Sequence, residues 1–248
     1  MLGACRVLAC KAKCMATSRM RGLLLALVGV AALTSLPLGS ASAGTLHPFT
    51  ATWLLNERPG ATVAVDSSGY GHNGTIVTGT QVTGLGYYRF NGYGRIVVPN
   101  DPKGGLDPST GNAYLTVVLR TTSAEGMNVV QKGQTGSPNG YWKLEVNQGH
   151  VACTFSGPSG SNGVWLTHFI DDGRWHSITC ARVGNTVSAS LDYGTRNWQV
   201  NAVARATGDI HNVKQLTIGG KVGCANLRDG CDGFIGDVDS VKMSTQPQ

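Results

Sequence analysis

Asp66 heads the run Asp66-Ser67-Ser68-Gly69, and this turn holds the first residue with chemistry to offer. An Asp there can accept a hydrogen bond from its own backbone two residues on, forming an Asx-turn. The same carboxylate, with loop carbonyls beside it, also suits a hard cation, because Ca²⁺ takes six to eight oxygen ligands. On the residues alone both readings stand. Cysteine is the second source of chemistry. Seven are present, and Cys5, Cys10 and Cys14 fall in the first stretch, leaving Cys153, Cys180, Cys224 and Cys231. An even number in an exported chain implies two disulfides, with three possible pairings. Cys224 and Cys231 suit a short-loop staple, and Cys153 would then join Cys180 across two strand-like segments. None of these spacings is Cys-x-x-Cys, which argues against zinc. Machinery for catalysis is sparse. The three Glu stand far apart at 57, 125 and 145, and the six His are scattered. There is no His-Glu-x-x-His, no Gly-x-Ser-x-Gly elbow, and no phosphate-cradling glycine loop opening a helix. No enzyme activity is expected.

The elements that must position these residues are strands. Residues 1–43 have the three parts of a secretory signal peptide: a basic stretch ending at Arg21, an apolar run Leu23 to Leu33, and Ala41-Ser42-Ala43 before Gly44. The run is shorter than the ~20 residues that span a bilayer. The chain is therefore expected to be secreted, cut after Ala43, with no integral membrane segment remaining. The leader also carries the charge. The whole chain has a formal net charge of +6. Residues 1–43 hold five basic residues and no acidic one, leaving fifteen basic against fourteen acidic. No nucleic-acid partner is expected of so balanced a remainder. Residues 44–248 are expected to form a single domain, with 35 Gly in the whole chain and only 14% charged residues arguing against a helical bundle. About thirteen short strand-like runs recur, among them Thr52 to Leu55, Thr75 to Val82, Tyr114 to Thr121, Tyr141 to Val146, Trp175 to Ala181 and Phe234 to Val241. Turn formers separate them, including Gly69-Tyr70-Gly71, Asn91-Gly92-Tyr93-Gly94 and Asp171-Asp172-Gly173. In Trp175 to Cys180 the Trp, Ser and Thr positions oppose His, Ile and Cys, so one face can be buried. The fold class expected is all-β, a two-sheet antiparallel β-sandwich.

Three segments together resemble the laminin-G-like jelly roll of the concanavalin A-like lectin/glucanase superfamily. They are Trp53-Leu54-Leu55-Asn56-Glu57 with Val65 to Thr75; Asp172-Gly173-Arg174-Trp175-His176-Ser177-Ile178 with Arg182 and Leu191-Asp192-Tyr193-Gly194; and Phe234 to Val241. They run from residue 53 to 241, so the likeness covers nearly all of the chain beyond the leader. Trp175, Phe234 and Val238 or Val241 are expected in the core. The resemblance implies a structural Ca²⁺ held between Asp66 and Asp239, with the loop carbonyls near His72 and Asn73 completing it. Asp237, two residues from Asp239 on one strand, would be a reserve ligand. Asn73-Gly74-Thr75 also fits a glycosylation sequon, for which a metal loop is a poor place.

Glycosidases of the superfamily carry Glu-x-Asp-x-x-Glu on one strand, since hydrolysis needs two flanking carboxylates. This chain has no such array. Tyr141-Trp142-Lys143-Leu144-Glu145 is similar to the Tyr/Lys strand of jelly-roll alginate lyases, without their partner Gln-x-His and Arg-Glu-x-Arg strands. The expectation is a non-catalytic domain that binds carbohydrate or a glycosylated surface. The loop aromatics Tyr70, Tyr87, Tyr93 and Trp198 are the candidates to face a sugar. A protein–protein adhesion or envelope-scaffold role, with a protein partner, is the alternative. A polysaccharide-degrading enzyme, hydrolase or lyase, is the second.

Overall fold

The structure, a computed structural model, describes residues 50–246 except 193, 197, 222 and 224–231. The leader and the Cys224–Cys231 staple lie outside the described residues. The strands are β1 (Ala51–Trp53), β2 (Val63–Ala64), β3 (Gly74–Ile76), β4 (Thr80–Val82), β5 (Tyr88–Asn91) and β6 (Ile96–Val98). Next come β7 (Asn112–Arg120), β8 (Met127–Lys132), β9 (Tyr141–Asn147), β10 (His150–Gly157) and β11 (Gly160–Phe169). The last are β12 (His176–Val183), β13 (Thr186–Leu191), β14 (Gln199–Ala204), β15 (Leu216–Ile218) and β16 (Ile235–Gln246). Among the described residues no helix is long and apolar enough to cross a membrane, which says nothing of a strand-built crossing.

Two antiparallel sheets form the expected sandwich. Sheet A runs β14-β13-β12-β7-β16-β5-β4, with β1 also on β16; sheet B runs β11-β10-β9-β8-β15-β6-β3-β2. Strict alternation drives them together. In β7, Ala113, Leu115, Val117 and Leu119 are buried while the residues between are not; β9 and β13 repeat the pattern. The apolar faces close on a core that includes Trp53, Trp142, Tyr88, Phe90 and Phe234. Phe234, Val238 and Val241 are fully buried, as expected. The run Thr75 to Val82 is not one strand. It breaks at Gly79, whose φ of 99° suits glycine, and its halves join different sheets as β3 and β4.

Cys153 of β10 and Cys180 of β12 form a disulfide across the sandwich, 27 residues apart in sequence, and both are buried. A loop of that length gives about 3.5 kcal/mol of stabilisation by restricting the unfolded chain. The Cys153→Ala/Cys180→Ala variant is expected to lose about that much in urea unfolding of the folded domain.

At one side the edge strands of the two sheets meet. β11 and β14 share no backbone ladder, but side chains stitch them. The Gln199 Oε1 accepts from the His168 amide at 3.0 Å, and its amide donates to Thr167 Oγ1. Asn201 donates to the Trp165 carbonyl at 3.0 Å, and Asn162 to that of Arg205.

Candidate binding site

Alternation aims three charged side chains outward on neighbouring strands of sheet A. Tyr88 and Phe90 point into the core, so Arg89 between them points out; Leu119 points in, so Arg120 points out. Asp237 of β16 lies in register with Arg89 on one side and Arg120 on the other. Its Oδ1 accepts from Arg89 Nε at 2.8 Å, and its Oδ2 from Arg89 Nη2 at 3.1 Å and Arg120 Nε at 2.8 Å. Arg120 Nη2 is a further 2.7 Å contact. Burial works to raise the Asp237 carboxyl, but hydrogen bonds and charge from the two guanidinium groups outweigh it and hold it below its ordinary value. The same carboxylate, by hydrogen bond and charge, lifts Arg89 above its own.

Trp175 completes the cluster. The Asp172 Oδ1 accepts from the Arg174 amide at 2.9 Å, and the Gly173 amide donates to the Thr121 carbonyl at 2.9 Å. Gly173 sits at φ 75°, a conformation that favours glycine. Behind this turn the buried His176 ring lies between Asp192, 2.7 Å from Nδ1, and Asp172, 3.0 Å from Nε2. The turn leaves Trp175 40% exposed, on the outer side with Ser177 and Thr179. The expected core placement of Trp175 is thereby corrected: the core tryptophans are Trp53 and Trp142, while period-2 alternation puts the smaller His176 inside. The Arg120 guanidinium carbon stands 4.7 Å from the Trp175 ring centre and 5.2 Å from that of Tyr87. Tyr87 and Trp175 meet edge to face at 5.6 Å. Beside them runs an open groove of about 370 Å³, lined by Arg89, Arg120, Thr121, Thr122 and Asp237 among others.

The cluster and the groove beside it together offer an aromatic face, two cationic forks and a carboxylate already occupied by them. It presents hydrogen-bond donors to oxygen-rich ligands, with one net positive charge. Asp237 is the one carboxylate among its described lining residues, so the paired carboxylates of glycoside hydrolysis do not face each other here. The lowered Asp237 value also sets a pH dependence. Its stabilisation is complete above about pH 4, the ordinary Asp value, and is lost as pH falls through the lowered folded value. Asp237→Asn is expected to flatten the acid limb of a urea-unfolding series between neutral pH and about pH 3.

Of the four expected sugar-facing aromatics, Tyr87 alone joins this site. Tyr70 is exposed and lies nearly parallel to the His72 ring, their centres 6.4 Å apart. Tyr93 is exposed at the far end of β5. Trp198 is exposed in a separate shallow groove with Thr167, His168, Arg196 and Gln199. Sequence reasoning missed Arg89, Arg120 and Trp175 as site residues, although the alternation of their strands signalled that all three face outward.

The residues assigned to calcium do not fit the ion. Asp66 Oδ1 accepts from the amides of Thr52 and Ser68 at 2.8 and 2.9 Å; Oδ2 accepts from the Ser68 hydroxyl and the His72 amide at 2.8 and 2.9 Å. Burial tends to raise this carboxyl, and those hydrogen bonds outweigh it to hold it low. Asn73 spends its side-chain oxygen on the Asp66 amide at 2.8 Å. These three N–H groups and one hydroxyl fill the roughly four lone-pair sites of the carboxylate and leave it no free oxygen lone pair to offer a cation. Asp66 is thus the Asx-turn residue of the alternative reading. Asp237 is clamped by arginines. Asp239 is the extra residue of a β-bulge between Val238 and Ser240, which breaks the alternation expected to align it with Asp237. Among the described residues no three His, Cys, Asp or Glu side chains gather as a metal-ligand set.

Residues 119–246 match the family model for the Laminin G domain. The human laminin subunit alpha-1 is 29% identical over 114 residues, covering 43% of this chain and 4% of that protein. The structure of domains LG4-5 of the mouse laminin alpha1 chain aligns with a TM-score of 0.52 at 15% identity, over 65% of this chain and 42% of that one. The receptor binding domain of botulinum neurotoxin C/D mosaic serotype aligns with a TM-score of 0.59 at 13% identity, over 81% of this chain and 49% of that one. This chain therefore spans a small part of the laminin subunit and under half of either structure. The sandwich, the order of its motifs and the family match covering just over half of the chain agree, and the chain belongs to the laminin G domain family.

Proposed function

We propose that residues 50–246 form a secreted, non-catalytic binding domain that recognises carbohydrate on a glycosylated surface. The cluster of Trp175, Tyr87, Arg89 and Arg120, with the groove beside it, is its contact site. The observation that carries this reading is the half-exposed indole with a guanidinium against it, beside an open groove. A pyranose lays its C–H face on such a ring, while neighbouring donors take its oxygens. Because Asp237 leaves a net positive charge, glycans bearing carboxylate or sulfate oxygens are favoured. Export is supported by the signal-peptide pattern of residues 1–43 and by the Cys153–Cys180 disulfide.

The test is a glycan array carrying neutral, carboxylated and sulfated chains. Selective binding to acidic glycans is expected, weakened at least tenfold by Trp175→Ala and by Arg120→Ala, and unchanged by calcium or chelator. Wild-type binding that both variants retain would remove the groove from the account. A second reading has its own observation: Trp, Tyr and Arg are the residues on which protein interfaces concentrate their energy. A blank array, with a protein ligand bound through the same residues and insensitive to free sugar, would establish the adhesion role instead. New reducing or unsaturated ends appearing with time would establish polysaccharide cleavage.

A further inference from the structure

Sheet B turns a polar surface away from the core. Trp142, Leu144 and Val146 of β9 face in, so Tyr141, Lys143 and Glu145 face out. Register extends that row across five strands, Gly163, Thr154, Lys143, Gln131 and Thr217, and a parallel row holds Trp165, Ala152, Glu145 and Asn128. Several of these polar residues lie deep. Gln131 is 4% exposed and Thr217 and Asn128 1% each. Two of their atoms, Thr217 Oγ1 and Asn128 Oδ1, are buried without a hydrogen-bond partner among the described residues, which is costly and uncommon in a native protein. Gln131 and Gln134 join two adjoining hollows of about 240 and 170 Å³, the first also lined by Tyr141, Lys143 and Lys221.

The charges along this surface cancel. Lys143 pairs with Glu145, and Lys221 with Asp232. At the β11 end Trp165 is 44% exposed. It stands beside the fully buried Ala152, and a Cβ on Gly163 would come 3.9 Å from its indole nitrogen. A flat aromatic ring thus borders a floor of small residues. Trp165 and Gln131 are three strands apart, about 14 Å at ordinary strand spacing. We propose that the outer face of sheet B is a second ligand site, a groove for an uncharged oligosaccharide lying across β8 to β11. The carboxamides of Gln131 and Gln134 and the hydroxyls of Thr135 and Tyr141, which line the hollows, both donate and accept and so match sugar hydroxyls, and Trp165 supplies the stacking face. Paired charges disfavour a polyanion. The face of a sheet, whose backbone groups are spent in the ladder, offers nothing to an added peptide strand. This site lies on the sheet opposite the arginine–tryptophan groove and does not depend on it.

The test is isothermal titration of the folded chain with cellohexaose, laminarihexaose, xylohexaose and mannohexaose. At least one is expected to bind with a Kd below about 1 mM. Trp165→Ala should weaken that binding about tenfold, as loss of one stacking contact does. Gln131→Leu should weaken it similarly, and Trp175→Ala should leave it unchanged. Trp165 is half exposed, so its variant keeps the fold even where Gln131→Leu does not. No binding to any of the four, or binding that Trp165→Ala leaves intact, overturns the proposal. Binding lost on Trp175→Ala alone would instead assign the neutral sugar to the groove on sheet A.

Discussion

Replacing Lys132 with methionine is expected to lower unfolding free energy at neutral pH by about 3–5 kcal/mol, the cost of stripping one partner from a buried ion pair. Lys132 is fully buried and Asp107 nearly so. The ammonium donates to Asp107 Oδ1 at 2.7 Å and to the Asn212 carbonyl, and the Asn212 amide donates to the same carboxylate at 3.3 Å. One contact thus ties the end of β8 to two loops. Burial pushes the Asp107 carboxyl up and the Lys132 ammonium down, each against the pull of the other. With lysine gone, Asp107 keeps the burial and loses its opposing charge. A carboxyl whose folded value is raised costs stability above that value, and the cost is relieved as pH falls toward the ordinary value near 4. The gap between variant and wild type should therefore narrow on acidification. Lys132→Met/Asp107→Asn should recover at least half of it at neutral pH. A gap that stays constant with pH in urea unfolding would show that the charge of Asp107 is not the cause.

Arg182→Ala is the second large loss, again about 3–5 kcal/mol in the same measurement. This guanidinium is 1% exposed, and among the described residues its hydrogen-bond partners include no carboxylate. It donates instead to the carbonyls of Pro108, Ser109 and Gly111 on one loop, and to the Gly208 carbonyl and Thr207 hydroxyl on another. Burial lowers its pKa, partly offset by the charge of Asp209. Removing it leaves several carbonyls without their donor at once. Arg182→Lys should recover less than half of the loss, because a single ammonium cannot span both loops as the planar fork does. Full recovery by lysine would reduce the residue to a point charge.

Both residues show where local pattern stops informing. Lys132 occupies an inward slot of β8 two residues after Val130, and nothing in its neighbours announces that Asp107 will meet it there. Most strands with one buried face were legible. The runs Tyr114 to Thr121 and Tyr141 to Val146 fall on β7 and β9, where their alternation put them. β14 was not, because Gln199–Ala204 is exposed almost throughout and carries no two-faced pattern. Trp175 is the instructive site residue. Its bulk suggested the core, while its place in the period put it beside Ser177 and Thr179 on the outside, and the period prevailed. Asp237 was singled out for its carboxylate. What decides its chemistry is the pair of arginines in register on either side, and pairing of strands 117 and 148 residues apart in sequence cannot be read from one strand.

The side-chain stitching of β11 to β14 has a consequence for the life of the protein in a crowded milieu. A sheet edge with unspent amides and carbonyls is a template onto which another chain can add a strand, and from there a fibre. Here two edges turn toward each other and occupy part of each other's backbone with glutamine and asparagine side chains. The opposite edges, β4 and β2, are only three and two residues long. Among the described residues the sandwich therefore leaves little edge on which a second copy can grow. It can display exposed aromatics at high local concentration without turning them into seeds of aggregation.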